Sequence, residues 1–125
     1  METRSSCSYT ILSLSRDVAL LASRNAVLRQ AGYNVVTTTK DDEAFAILRE
    51  NSVDAVVLGD SFAPIERNRF VCAIQAINPK TQVLVIKLSS ESAPEGCISM
   101  DSLDGPETLL AKLRQASLST DAQAA

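Results

Sequence analysis

The residues of this sequence that could do chemistry are concentrated at the end of one apolar run. Residues 56–62 read VVLGDSF, so Asp60 and Ser61 follow closely on a stretch of aliphatic side chains. A carboxylate at the end of a buried strand can accept a phosphoryl group when a divalent cation and a lysine offset the charge. A serine in the same place can act as a nucleophile when a neighbouring base takes its proton. The rest of the chain must supply those partners.

The serine chemistry lacks its base. The chain contains no histidine, the residue that most often activates a nucleophilic serine. Hydrolases with a Gly-Asp-Ser motif keep an Asp and a His near the carboxyl terminus, but here that segment reads ASLSTDAQAA and offers only Asp121. The remaining way to activate Ser61 would be a Ser–Lys dyad with Lys87. We therefore do not expect hydrolysis through Ser61, and we expect the protein not to be an enzyme.

Composition and charge argue against several classes of partner. The chain has 125 residues, of which 46% are hydrophobic and 22% charged, as in a single globular domain. Its formal net charge of −3 disfavours nucleic acid, because phosphate contacts need clustered Lys and Arg. No apolar run approaches membrane-spanning length, and the amino terminus METRSSCSYT lacks the apolar segment of a signal peptide. We expect a cytoplasmic protein that does not bind membranes.

Metal and nucleotide sites are not indicated either. Cys7, Cys72 and Cys97 are widely separated and form no CxxC pair or Cys/His cluster, so we expect reduced thiols, some of them in the core, rather than a zinc site. The four glycines are isolated from one another and form no phosphate-binding loop for a nucleotide or flavin. We therefore expect no cofactor.

Strand and helix patterns alternate along the chain. Apolar and β-branched runs predict strands at residues 9–14, 34–39, 54–59 and 82–87, with a short fifth at 97–100. Apolar residues at helical spacing predict helices near residues 16–30, 40–51, 65–77 and 105–118, with Arg24 and Arg29 mostly away from the apolar face of the first. This alternation favours an α/β fold with a parallel sheet covered on both faces. Ligands bind such sheets at the carboxyl ends of the strands. The candidate site residues are Ser15, Arg16, Asp17, Gly59, Asp60, Ser61, Lys87, Asp101 and Ser102.

Four segments, taken together in their order and spacing, resemble the receiver domain of bacterial response regulators, the CheY-like superfamily. They are AGYNVVTT, DDEAFAILRENSVDAVVLG, AINPKTQVLVI and LDGPETLLAKLRQ, and the resemblance covers about residues 10–115. It implies a three-layer flavodoxin-like fold with about five parallel strands in the order 2-1-3-4-5. We predict a receiver-like domain at residues 8–117 and a disordered tail at residues 118–125.

The resemblance also implies a phosphoryl-transfer site, from which this sequence departs at each position. In receivers two acids after the first strand hold Mg²⁺, an Asp ends the third strand and accepts the phosphoryl group, and a Thr or Ser and a Lys end the fourth and fifth strands. The corresponding positions here are Ser15 and Arg16, Gly59, Lys87, and Asp101 or Ser102, with Asp17 as the next acid after the first strand. An arginine repels Mg²⁺ where an oxygen ligand is needed, and a glycine has no side chain to phosphorylate.

Asp60 offers an alternative acceptor. An alignment on Pro64 would place Asp60 at the acceptor position, and Mg²⁺ would then be the expected cofactor. Strand parity argues against this alignment, because a shift of one residue turns a side chain to the other face. Arg16 and Lys87 are predicted either to form a fixed ion-pair cluster with the nearby acids Asp17, Asp60 or Asp101, or to lie solvated at the rim.

The connection before the fifth strand is unusually short. Residues 88–96 read LSSESAPEG, whereas parallel neighbours usually need a crossover of about a dozen residues or more. We predict that the fourth helix of a receiver is replaced by an extended or irregular loop. Fully extended, this segment spans about 30 Å, enough for a parallel fifth strand, with an antiparallel edge strand as the alternative.

This shortened connection bears on function. Receivers often use the fourth helix, fifth strand and last helix to dimerise or to bind partners. We predict that the surface near Leu88, Ile98 and Leu103 is a constitutive docking site for a protein partner or a second copy. The preferred hypothesis is a degenerate receiver that acts as a phosphorylation-independent interaction module in bacterial signal transduction; the alternative is a response regulator phosphorylated on Asp60. Met1 and the short tail favour a complete chain, so we expect that no output domain follows residues 8–117 and that the protein acts by binding; for an excised fragment this expectation lapses.

Overall fold

Within the described residues, strands and helices alternate from β1 to β4, as the sequence pattern predicts. A computed structural model describes residues 9–50, 53–59, 63–87, 97–101 and 104–124. Within these ranges the elements are, in chain order, β1 (Thr10–Leu14), α1 (Val18–Gln30), β2 (Asn34–Thr38), α2 (Asp41–Glu50), β3 (Ala55–Leu58), α3 (Pro64–Ile77), β4 (Gln82–Lys87), β5 (Ile98–Asp101) and α4 (Pro106–Ala124).

The five strands form one parallel sheet in the order β2-β1-β3-β4-β5. The predicted order and the parallel fifth strand are therefore confirmed, and the antiparallel alternative for β5 is wrong. Lys87 at the end of β4 pairs in register with Asp101 at the end of β5. The predicted replacement of a helix at residues 88–96 falls outside the residues that the structure describes.

Helices cover both faces of the sheet because alternate strand residues point to opposite sides. On one face, α2 and α3 pack against Leu12, Leu14, Val56, Leu58, Val83 and Val85. On the other face, α1 and α4 pack against Ile11, Ala55, Val57, Leu84, Ile86 and Met100. The three inner strands β1, β3 and β4 thus have apolar side chains on both faces of the sheet. This explains the nearly continuous apolar runs in the sequence.

The last helix extends further than predicted. The backbone of α4 is helical from Pro106 to Ala124, through most of the segment predicted as a disordered tail. No Gly or Pro follows Pro106, and Ala and Gln are good helix formers, so nothing in the sequence ends the helix earlier. The domain boundary itself stays a prediction. Among the described residues, no helix is long and apolar enough to cross a membrane.

Candidate functional site

The carboxyl ends of β1 and β3 bring two of the predicted positions side by side. Leu14 pairs with Leu58 in register, so the following residues, Ser15 and Gly59, are neighbours. The Gly59 N–H donates to the Leu14 carbonyl at 3.0 Å, and the Ser15 N–H donates to the Thr38 carbonyl at 3.4 Å. Ser15 is fully buried. Gly59, the predicted counterpart of the acceptor carboxylate in receivers, is therefore a buried glycine against a buried serine.

A guanidinium group occupies the space that a side chain at position 59 would need. A Cβ atom built on Gly59 would lie 2.8 Å from Nη1 of Arg24, 3.0 Å from Oγ of Ser15 and 3.1 Å from its Cβ. The 2.8 Å contact requires the flexible end of Arg24 to move, and the contacts of 3.0 and 3.1 Å require Ser15 to give way by a few tenths of an ångström. The absence of a side chain at Gly59 is thus what lets Arg24 reach the end of β3.

Sequence reasoning missed Arg24, which it placed mostly away from the apolar face of α1. In the structure Arg24 is half-buried, whereas Leu21 and Leu28 on the same helix are buried. A usable signal was present, because Arg24 lies three residues after Leu21 and four before Leu28, and helical residues at those spacings share a face. Its aliphatic stem can cover apolar surface while the charged end reaches the sheet edge.

Arg16, at the position of a metal ligand, is held in ion pairs. Its Nη2 lies 3.2 Å from Oδ1 of Asp41 and 3.1 Å from Oε2 of Glu66. The ion pairs recorded for Arg16 join it to acids at the starts of α2 and α3, whereas the prediction named Asp17, Asp60 or Asp101. The three side chains are 39–49% exposed, so each pair contributes no more than about 1 kcal/mol to stability. The network orients Arg16 across the mouth of the site.

Asp17 has a structural role in this geometry. Its Oδ1 accepts the backbone N–H groups of Ala19 at 3.0 Å and Leu20 at 3.2 Å, which makes it the N-cap of α1. The Ser15 hydroxyl oxygen also accepts the Asp17 N–H at 3.1 Å. The acid after β1 therefore starts a helix.

Lys87 and Asp101 lie on adjacent strands at the same edge of the sheet. They are register partners at the ends of β4 and β5, and adjacent strands are about 4.8 Å apart. In the receiver pattern these positions hold a neutral hydroxyl and a lysine, whereas here they hold a cation and an acid. The Asp101 N–H donates to Oδ2 of Asp104 at 3.1 Å, which links the end of β5 to Asp104.

A further cation, Arg67, was not anticipated from the sequence. It lies on α3, is 1% exposed, and its Nη1 donates to the Ile86 carbonyl at 3.2 Å. Arg67 falls three residues before the buried Phe70 and four before the buried Val71, so its spacing places it on the inner face of α3. It adds a buried positive charge near the end of β4.

These residues do not fit the Mg²⁺ that the receiver fold implies. Arg16 and Ser15 replace the two acids, and a guanidinium lies at the acceptor position. Hard divalent cations need several oxygen ligands, mostly carboxylates. Within the described ranges, no group of three or more His, Cys, Asp or Glu side chains could hold a metal ion. We derive no metal-dependent step for this site.

The two cysteines within the described ranges, Cys72 and Cys97, are free thiols. Burial raises the pKa of the half-buried Cys97 thiol, and the nearby Cys72 raises it further. A raised pKa keeps the thiol protonated and unreactive at neutral pH. Cys97 is therefore not an activated thiol.

Several predicted residues fall outside the part of the chain that the structure describes. These are Cys7, Asp60, Ser61, Leu88, Ser102 and Leu103. Ile98, the remaining residue of the predicted docking surface, is half-buried and packs against the core between the sheet and the α1–α4 layer. The docking role of Leu88, Ile98 and Leu103 stays a prediction.

Comparisons with known proteins identify the fold. No family model matches the sequence, and no curated protein matches it. Among solved structures, a CheY-like receiver domain protein from Methanospirillum hungatei has a TM-score of 0.80 at 16% identity, with 92% of this chain and 98% of that chain covered.

Two further solved structures agree. The chemotaxis regulator CheY4 of Vibrio cholerae has a TM-score of 0.73 at 22% identity, covering 86% of this chain and 98% of that one. The receiver domain of an HD domain-containing protein from Pseudomonas fluorescens has a TM-score of 0.79 at 18% identity, covering 92% and 90%. Together with the strand order, these likenesses show that the chain has the CheY-like receiver fold.

Proposed function

We propose that this protein is a degenerate receiver domain that acts in the cytoplasm as a phosphorylation-independent protein-interaction module in signal transduction, and that it is not an enzyme. The observation that carries the proposal is the Arg24 guanidinium at Gly59, where a receiver has its acceptor carboxylate. A site without an acceptor cannot cycle between phosphorylated and unphosphorylated states. Its output must then come from binding alone.

The charges around the site support the same conclusion. Phosphoryl transfer to a carboxylate needs a cation to neutralise the oxygens of the phosphoryl group and acids to hold that cation. In this chain the acids near the site have other partners: Asp41 and Glu66 pair with Arg16, and Asp17 caps α1. Restoring metal binding would therefore require several substitutions at once.

Intact-mass measurement after incubation with acetyl phosphate and Mg²⁺ tests the proposal. We expect no phosphoryl adduct on the wild-type chain, while an ordinary receiver treated in parallel as the positive control becomes phosphorylated. A stoichiometric adduct that disappears in Asp60→Asn would refute the proposal and identify Asp60 as the acceptor. An adduct that persists in Asp60→Asn would reflect acetyl phosphate reacting elsewhere, and the peptide carrying it is then identified by fragmentation.

The fold alone does not identify the partner. A pull-down from the native host, with a Gly59→Asp/Arg24→Ala double variant as the matched comparison, reports whether binding depends on this edge of the sheet. A partner retained equally by both chains binds elsewhere on the domain. A partner lost only from the double variant binds near the carboxyl ends of β1 and β3.

A further inference from the structure

A groove lies between α1 and α4 over the carboxyl ends of β4 and β5. Its volume is about 230 Å³. Ile86 and Met100 on the sheet contribute to it, with Leu20 and Val27 from α1 and Leu109 from α4. Ile86, Met100 and Leu109 are nearly fully buried, whereas Leu20 is 37% exposed. The groove therefore combines a packed apolar floor with an apolar wall that remains open to a ligand.

Arg24 connects this groove to the former acceptor position. The same side chain that lies over Gly59 also lines the groove. A guanidinium carries five N–H donors, so it can bind an incoming carboxylate in addition to its contacts within the chain. The other charged residue of the lining is Asp104, and its carboxylate already accepts the Asp101 N–H. The lining thus carries one charge of each sign, and Arg24 is the group in it that can bind an anionic ligand.

The size of the groove indicates what kind of group enters it. Sites for drug-sized ligands are usually larger, about 300–1,000 Å³, whereas protein interfaces commonly bury one anchor side chain in a small apolar pocket. A Leu, Met or Phe side chain fits the volume and the lining. A carboxylate beside that anchor would meet Arg24, and charge-assisted hydrogen bonds to Arg are among the stronger contacts at interfaces.

We propose that this groove is the docking site for a protein partner that inserts one apolar side chain and places a neighbouring Asp or Glu against Arg24. The inference deepens the proposed function and rests on it, because it names how a binding-only receiver engages its partner. The residue that excludes the phosphoryl chemistry becomes, in this view, the residue that selects the partner.

A random dodecapeptide library displayed on phage and panned against the intact chain tests the proposal. We expect enriched peptides to share an apolar residue next to an Asp or Glu. Binding of the synthetic peptides should weaken about tenfold to hundredfold in Arg24→Met, which keeps the side-chain length but removes the charge. It should also weaken at least about tenfold in Ser23→Trp, because Ser23 is exposed and lines the groove.

Matched controls separate groove binding from general effects. Arg69→Met removes an exposed arginine on α3 and should leave binding unchanged, as should Ser23→Ala. Thermal unfolding of each variant verifies that it is folded. Enriched peptides that lack an acid, or that bind Ser23→Trp as well as wild type, would overturn the proposal.

Two other occupants have their own outcomes. A wild-type dimer that Ser23→Trp converts to a monomer would assign the groove to a second copy and refute the partner proposal. Binding of hexanoate without any enriched peptide would assign it to a small apolar acid and also refute it. If acetyl phosphate phosphorylates the chain and peptides still bind in the groove, only the proposed function is refuted. If the chain is not phosphorylated and no peptide binds in the groove, only this inference is refuted.

Discussion

Adding a single methyl group at position 59 tests how the site is filled. The Cβ of Gly59→Ala would lie 2.8 Å from Nη1 of Arg24 and 3.0 Å from Oγ of Ser15. Overpacking of this kind costs about 1–3 kcal/mol. The lower backbone entropy of alanine in the unfolded chain returns about 0.4–1 kcal/mol, because no positive φ is recorded at Gly59. We expect a net loss between about 0 and about 2.6 kcal/mol in the free energy of unfolding.

The two close contacts differ in how easily they relax. The end of Arg24 belongs to a long, half-buried side chain, whereas Ser15 is fully buried. Removing the guanidinium in Arg24→Ala relieves the shorter contact and leaves only the one with Ser15. The cost of Gly59→Ala should therefore fall by about 1 kcal/mol in the Arg24→Ala background, beyond the ~0.5 kcal/mol within which independent sites add.

Urea unfolding of the wild type, both single variants and the double variant measures this coupling, provided that the m-values agree. Arg29→Ala is the matched control. Arg29 is on the same helix, but its Nη2 donates to the Val35 carbonyl at 3.2 Å, away from Gly59. Gly59→Ala should cost the same with or without Arg29. A clearly stabilising Gly59→Ala, or additivity with Arg24→Ala, would refute the assignment of Arg24 to this space.

Three other predictions concern the surroundings of the site. Arg67→Met should lower the free energy of unfolding, measured by urea titration, by about 1–3 kcal/mol, because it removes the donor to the Ile86 carbonyl. The control Arg69→Met, on the exposed side of α3, should change the same free energy by no more than about 0.5 kcal/mol. Equal effects of the two substitutions would contradict the role given to Arg67. Alkylation of Cys97 by iodoacetamide, followed by peptide mass analysis, should be slow at neutral pH and accelerate only at alkaline pH, because the pKa of this thiol is raised. The contribution of the buried, protonated thiol to folding stability is complete below the pKa of Cys97 in the unfolded chain, and it is lost as the pH rises through its pKa in the folded chain. Rapid labelling at neutral pH would contradict the burial of Cys97. If Leu88, Ile98 and Leu103 form a dimer surface, their substitution by Asp should lower the mass measured by sedimentation, and a wild-type monomer would exclude that version of the docking hypothesis.

Much of the fold could be predicted because it depends on local signals. Apolar runs marked β1, β3 and β4, a β-branched run marked β2, a short segment suggested β5, and boundary residues such as Gly32 and Pro64 marked helices between strands. Gly32 adopts a φ of 97° directly after the C-cap of α1, a conformation that favours glycine. The extension of α4 to Ala124 was missed because a polar carboxyl-terminal segment looks like a tail when its helix propensity is left out.

The candidate site, too, could be predicted from the sequence only in part. By itself, the sequence determined which residue types follow each strand, and hence that Gly59, Ser15 and Arg16 lie where a receiver has its acids. Only the tertiary structure decided that Arg24 covers Gly59 and that Arg16 pairs with Glu66, 50 positions along the chain. Strand ends are set by local apolar patterning, whereas the end of a long flexible side chain is placed by packing between elements far apart in sequence. The spacing of Arg24 from Leu21 and Leu28 indicates which face of α1 it lies on, but no local pattern gives the atoms that its guanidinium contacts.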